Sequence, residues 1–171
     1  MIRQVWSGER NPRFAGRYYH LSGANSGPVP SRPIGIWIGA ARPRMLDLVA
    51  RLADGWVPSF QGDLEQLAAM TRSLDAAVAA AGRSPGDIRR ILNVAGVIID
   101  GSSQGMLKGP PEQWGAELTE LAVSLGFETF IFWGEGEGQL ERFAREVVPA
   151  VRSRFAEAQP RAKAWPAEAG L

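Results

Sequence analysis

The sequence predicts an α/β fold: parallel strands joined by crossover helices, about four of each. Three observations predict it. From residue 34 onward, short apolar runs alternate with segments of helical periodicity. The run Arg90-Ile-Leu-Asn-Val-Ala-Gly-Val-Ile-Ile99 is almost continuously apolar, as expected of a parallel strand buried on both faces. The stretch Pro33 to Trp56 reads as strand, small-residue turn, helix and short strand in one unit.

Ile2 to Trp6 has the look of a helix end, with Trp6 a core residue. Residues 7–33 are rich in Gly, Pro, Ser and Arg and lack periodicity, so they read as a long loop with a hairpin around Tyr18 and Tyr19. A loop of such length in a compact domain is usually functional or mobile. A strand is expected over 34–39, carried by Ile34, Ile36, Trp37 and Ile38. Pro43, whose missing N–H costs nothing in a first helical turn, opens a helix over 43–53. Met45, Leu46, Leu48, Val49 and Leu52 recur in it at helical spacing. A short strand follows at Gly55 to Pro58. Asp63 is a suitable N-cap for a helix presenting Leu64, Leu67, Thr71, Leu74 and Val78 on one face and stopped by Gly82. After the strand over 90–99, residues 100–109 form a Gly/Ser loop. Pro110 or Pro111 opens the next helix, with Trp114, Leu118, Leu121, Ala122 and Leu125 inward and Gly126 at its end. Glu128 to Trp133 form a further strand. The last helix spans 139–155, with Leu140, Phe143, Val147, Val148 and Val151 inward, and Pro149 kinks it or marks a boundary. Residues 1–33 thus form a loop region, 34–156 the α/β body and 157–171 a frayed tail.

Composition narrows the function. With 171 residues, 45% of them hydrophobic and 22% charged, one ordinary globular domain is expected. A net charge of +1 and the absence of a basic run give no footprint for nucleic acid or anionic lipid. No apolar stretch approaches the roughly 20 residues a membrane span needs, and no amino-terminal segment reads as a signal peptide. The chain has no cysteine and one histidine, which excludes disulfides, Cys–His dyads and histidine metal cages. The absence of cysteine fits a cytoplasmic protein. There is no G-x-S-x-G elbow.

One turn has the character of a binding site. Gly39, Ala40 and Ala41 keep side chains out of the way past a strand end, and Pro43 opens the helix behind them. Such a turn offers backbone N–H groups and a helix dipole to an anion, most often phosphate, and Arg42 and Arg44 add positive charge.

Four segments, in order, carry a resemblance to a known family. Phe14-Ala-Gly16-Arg-Tyr18-Tyr19 is similar to an F-x-G-x-Y-Y insertion. Ile36-Trp-Ile-Gly-Ala40 with Pro43 to Leu46 is similar to an I-x-I-G-A-x-G-P-x-M-L turn. Ala53-Asp-Gly-Trp56 matches A-D-G-W, and Phe143-Ala-Arg-Glu-Val-Val-Pro149 is similar to a closing F-A-x-E-V-x-P helix. Together they resemble the carboxyl-terminal half of the luciferase-like monooxygenase superfamily. The resemblance implies a partial (β/α)8 TIM barrel, a half-barrel, because whole barrels of this type run to about 250 residues. It implies oxidoreductase chemistry with FMN or coenzyme F420, and the form of the turn is closer to the deazaflavin-using branch. Cofactor contact is then expected at Gly39, Ala40, Ala41, Arg42, Pro43, Arg44 and Met45, and at Asp54, Gly55 and Trp56. Arg42 stands where the family has Gly: its guanidinium either bonds the phosphate or closes the approach to it. Trp56 either lines the pocket or only packs.

Other candidates weigh less. Trp133 and Gly134 close the last strand, at the end where barrel active sites lie. Asn93 is polar within an apolar strand and points into the barrel mouth or is a satisfied core amide. His20 reads as a surface residue, and Glu135 and Glu137 as solvated carboxylates in a Gly-flanked loop. Because an open four-stranded sheet exposes both edges, pairing with a second copy or with a separate half-barrel is expected, with little or no turnover by the chain alone. The alternative is a non-catalytic flavin-binding or assembly module that works only with such a partner.

Overall fold

In the computed structural model, residues 1–23, 27–58, 60 and 62–158 are described. The tail expected from residue 157 therefore lies almost wholly outside the described residues. The chain divides into two compact units, Met1–Gly35 and Ile36–Leu171.

The first unit holds a short helix α1 (Ile2–Trp6) and an antiparallel hairpin of β1 (Arg13–Ala15) and β2 (His20–Ser22). The Gly16 N–H donates to the Tyr19 carbonyl at 2.9 Å and closes the turn. Tyr18 and Tyr19 project into solvent, and Arg17 lies over the Tyr18 ring. Trp6 is half-buried and α1 has no buried residue. The expectation of Trp6 as a core residue is thus corrected: a helix this short has no apolar layer to sink it into.

The second unit is a parallel sheet with its helices on one face. Its elements are β3 (Trp37–Gly39), α2 (Pro43–Leu52), β4 (Gly55–Val57), α3 (Leu64–Ala80), β5 (Arg89–Ile98), β6 (Lys108–Gly109), α4 (Pro111–Leu125), β7 (Thr129–Gly134), α5 (Gln139–Arg142), a π-helical turn (Phe143–Val147) and α6 (Val148–Ala158). β3 pairs with β4, β4 with β5, and β5 with both β6 and β7, all in parallel. The Arg89 N–H bonds to Asp54 and the Val97 N–H to Leu107. These residues share parity, so β4 and β6 lie on one side of β5 and β7 on the other. Parallel strands with crossover helices form the half-barrel that the resemblance implies.

Local chemistry sets the helix ends. Pro43 and Pro111 occupy first helical turns. Asp63 Oδ1 accepts from the Gln66 N–H at 2.9 Å and caps α3. Gly82 takes φ +70° while its N–H and that of Arg83 bond back to Ala79 and Val78. Gly126 ends α4 in the same left-handed way, with its N–H and that of Phe127 bonded to Ala122 and Leu121. Both are Schellman closures.

The core lies between sheet and helices. Leu46 and Val49 of α2, Leu67, Leu74 and Val78 of α3, and Trp114, Leu118 and Leu121 of α4 meet Trp56, Leu92, Val94 and Ile98. Trp56 stacks on Phe127, and Trp114 meets Phe132 and Phe143 edge-on. Such aromatic pairs add about 0.5–1.5 kcal/mol each beyond their buried area.

Several expectations need correction. β3 begins at Trp37 rather than at residue 34, because Asp54 and Gly55 take both polar groups of Ile36. The 100–109 loop contains β6, held by β5. Leu64 and Leu140 are exposed, since each sits in a first turn beyond the edge of the core. Pro149 does not break the last helix. The π-helical turn just before it absorbs the missing N–H and ring clash. β5 is buried mainly on one face: Leu92, Val94 and Ile98 are buried, whereas on the other face Ile91 is buried but Asn93, Ala95 and Val97 are exposed.

Gly96 is where the packing tolerates no side chain. A Cβ there would collide with the Leu107 carbonyl and meet the Trp114 ring at 2.9 Å. Leu107 cannot easily yield, being buried with φ 55°. Gly96→Ala is expected to lower unfolding free energy by about 2–3 kcal/mol, as overpacked sites do. Urea unfolding checks this, and a loss below about 0.5 kcal/mol would contradict the packing described.

Candidate functional site

The turn after β3 is built from beneath. The Trp56 indole is fully buried, and its Nε1–H donates to the Ala40 carbonyl at 2.9 Å. Ala40 is itself buried, so the bond pins the chain as it leaves the sheet. Arg42 then takes extended backbone, φ −103° and ψ 148°, as the N-cap of α2. Its carbonyl accepts from the N–H groups of Met45 and Leu46, both at 2.9 Å. No side chain caps this helix and no acidic residue lies in its first turn.

Positive charge is concentrated at the same point. The Arg42 and Arg44 side chains are exposed, and among the described residues neither guanidinium has an ion-pair or hydrogen-bond partner. Two cations at the positive end of a helix dipole are in the unfavourable place for cations. An anion seated there would relieve both. Beside the turn, a cleft of about 270 Å³ is lined by Ala41, Arg42, Pro43, Leu46, Gln66 and Met70, among others.

Asp54, Gly55 and Trp56 do not join Gly39–Met45 on one surface. Register pairs Trp37 with Gly55 and Gly39 with Val57, so Asp54 lies at the opposite end of the sheet from the turn. Its Oδ2 accepts from the Ile36 N–H at 2.8 Å, and its backbone bonds to both Ile36 and Arg89. It ties together the amino ends of β3, β4 and β5. The Trp56 ring faces the helices, which is the packing alternative. Gly55 is required by a neighbour: a Cβ there would meet Trp37 Cδ1 at 2.6 Å and Ile91 Cδ1 at 2.9 Å.

The sheet's other face is open. Trp37, Asn93, Ala95, Val97, Ile131 and Trp133 are exposed on it. Trp37 leans across Gly55 towards Ile91 and is 47% exposed. Trp133 is 63% exposed, with its Nε1–H donating to Asn93 Oδ1 at 3.1 Å. Asn93 therefore faces the barrel side and orients an aromatic ring there. Sequence reasoning treats Trp37 as a plain strand residue. Its period-2 offset from Ile36 and Ile38 is the signal that it faces the other way.

The carboxyl end of β5 is held by residues that no motif marks. Gln139 bonds Ile98 twice, accepting its N–H at 2.8 Å and donating to its carbonyl at 3.1 Å. Arg142 donates to the Ile98 carbonyl at 3.1 Å and to Asp100 at 2.8 Å, and pairs with Glu146. These contacts, Glu146 foremost, hold its pKa above the ordinary guanidinium value. Glu135 and Glu137 are exposed in the loop after β7, and His20 lies exposed in the hairpin of the first unit. Among the described residues no group of three or more His, Asp or Glu could hold a metal, and no helix is long and apolar enough to cross a membrane.

Comparison with known proteins agrees with this architecture. Residues 1–108 match the luciferase-like monooxygenase family. A curated relative from Mycobacterium tuberculosis, an F420-dependent hydroxymycolic acid dehydrogenase, is 32% identical over 102 residues, covering 58% of this chain and 27% of that protein. An F420-dependent glucose-6-phosphate dehydrogenase from Microbacterium testaceum is 30% identical over 95 residues, 55% of this chain and 28% of the relative. Among solved structures, an F420-dependent secondary alcohol dehydrogenase in complex with an F420-acetone adduct superposes with a TM-score of 0.73 at 14% identity, over 88% of this chain and 59% of that one. A riboflavin lyase with modified FMN and riboflavin superposes at 0.69 and 15% identity, over 90% and 55%. The matched segments thus span less than two thirds of each of these proteins, and the structural likenesses establish the fold.

The Trp56–Ala40 bond is the internal support of the turn. Trp56→Phe leaves a buried carbonyl without its donor and is expected to cost about 1–3 kcal/mol. Denaturant unfolding checks it, and an unchanged midpoint would contradict that role.

Proposed function

We propose, from the premise that this chain belongs to the luciferase-like monooxygenase family, that it contributes a half-barrel to an oxidoreductase using coenzyme F420 or FMN, and that the Gly39–Met45 turn holds the cofactor's phosphate. The observation that carries the reading is the Arg42 guanidinium, which has no partner among the described residues, at a helix amino end with no acid in its first turn. That donor set suits a phosphate in chemistry and charge. The F420 dependence named for the curated relatives, and the F420 and FMN named for the structural neighbours, support the choice of cofactor.

Each residue has a limited task. The backbone from Ala40 to Arg42 and the Arg42 guanidinium bind the phosphate, so Arg42 replaces the glycine of the family pattern with a charge-assisted bond. Trp56 keeps Ala40 in place. Trp37 and Trp133, the latter oriented by Asn93, give the inner face an apolar wall that excludes water from a planar ring. The bound cofactor would supply hydride transfer or oxygen activation, and the protein would bind, orient and desolvate it. Asp54 acts on the fold and not on the ligand. No described residue of the turn is a proton donor or acceptor suited to acid–base work, and the single chain is expected to show no cofactor-dependent turnover.

A second reading rests on the exposed face bearing Trp37 and Trp133. The chain would then be a non-catalytic flavin-binding or assembly module, active only against a partner half-barrel. Both readings use the same phosphate site.

Comparing FMN with riboflavin, which lacks the phosphate, isolates that site. FMN is expected to bind at least about tenfold more tightly, and Arg42→Ala to remove most of the preference, since a charge-assisted bond is worth about 1.5–3 kcal/mol. Fluorescence titration reads both, with coenzyme F420 titrated in parallel to choose the cofactor. Equal affinity for FMN and riboflavin would overturn the assignment, and so would tighter FMN binding by Arg42→Gly.

A further inference from the structure

The two edges of the sheet are complementary to each other. β3 pairs only with β4 and β7 only with β5 among the described residues. The Glu128 N–H bonds to Arg90 and the Gly55 N–H to Ile36. By alternation, Thr129, Ile131 and Trp133 on β7, and Trp37 and Gly39 on β3, direct their backbone N–H and C=O groups outward. Each edge therefore offers an unfilled parallel ladder, which folded proteins ordinarily cover or close. The face between the edges carries four large exposed apolar side chains, Trp37, Val97, Ile131 and Trp133.

Charge follows the same division. The turn after β3 carries Arg42 and Arg44, and the loop after β7 carries Glu135 and Glu137. None of the four has an ion-pair partner among the described residues. Both loops lie at the carboxyl ends of parallel strands, on the same end of the sheet.

We infer that a second copy of this chain covers the open face, its β7 edge adding to the β3 edge of the first and its β3 edge to the first copy's β7, so that two half-sheets close into one barrel. A twofold axis along the strands keeps every strand parallel and makes both junctions at once. Closure removes all edges and cannot propagate into a fibre. At each junction Arg44 of one copy meets Glu135 and Glu137 of the other, while Arg42 is left to the phosphate. The inner side chains of both copies fill the interior, as in barrels of this size, and Gly39, Gly55 and Ala95 leave room for the four indoles. Because this chain carries both the cationic and the anionic edge, a like copy satisfies each junction. The inference deepens the partner part of the function proposed above. It rests on the sheet edges and not on cofactor binding.

Size-exclusion chromatography with light scattering on the full 171-residue chain at low ionic strength tests it. The expected particle has twice the 18.5 kDa chain mass. Arg44→Glu alone, or Glu135→Arg with Glu137→Arg, places like charges at both junctions and is expected to weaken self-association at least about tenfold. Combining the three substitutions restores it, which also shows that the variants fold. A particle of one chain mass overturns the inference. So does a dimer that none of the swaps weakens, an open-ended larger assembly, or association only with a separate half-barrel protein. FMN binding by a monomer would remove this inference and leave the cofactor reading standing, whereas a swap-sensitive dimer that ignores FMN would do the reverse.

Discussion

All the crossover helices lie on one face of the sheet, and the rest of the structure depends on that constraint. A parallel pair cannot be joined by a tight hairpin: α2, α3 and α4 carry the returns from β3 to β4, β4 to β5 and β6 to β7, and the α5–α6 segment after β7 packs on the same side. That side becomes one continuous core in which Trp56, Leu92, Val94 and Ile98 meet Leu46, Leu67 and Trp114. The other side receives no layer. Trp37 and Trp133 then remain exposed although Ile38 and Phe132 beside them are half-buried against the core, and the same alternation that buries Leu92 and Val94 exposes Asn93 and Ala95.

This one-sidedness also determines where chemistry is available. The amino ends of β3, β4 and β5 are tied together through Asp54 and Ile36 and serve stability. At the carboxyl ends lie the turns in which Arg42, Arg44, Glu135 and Glu137 have no ion-pair partner among the described residues. Two contacts through the sheet keep those ends in place. Trp56 reaches from the core to the Ala40 carbonyl, and Gln139 continues the ladder beyond β7 by bonding both polar groups of Ile98. The turn after β3 is therefore mounted on buried structure and is not a loose loop.

Much of this is legible in the amino-acid sequence. Pro43, Asp63, Gly82 and Gly126 act at helix ends through their own backbone chemistry, so local sequence suffices to place α2, α3 and α4. The strand–helix alternation suffices for the parallel sheet. What escapes depends on partners distant in sequence. β6 is two residues long and exists because β5 holds it. The apolar run of β5 reads as buried on both faces because apolar composition alone does not reveal whether a second layer is present. The π-helical turn answers Pro149 by a route that sequence does not distinguish from a kink. Asp54 sits close in sequence to the turn but at the opposite end of the sheet, since the register of β3 against β4, and not chain proximity, decides its place. Gln139 and Arg142 belong to no motif and are recognisable only once Ile98 is seen beside them.

Hydrogen–deuterium exchange of the full chain, with and without saturating FMN or coenzyme F420, reads whether ligand meets this protein at the carboxyl end of β3. Slowed exchange is expected in peptides covering residues 37–45, with α4 on the outer layer unchanged. Unaltered exchange across 37–45 under saturating ligand, or protection confined to α4, would contradict that placement.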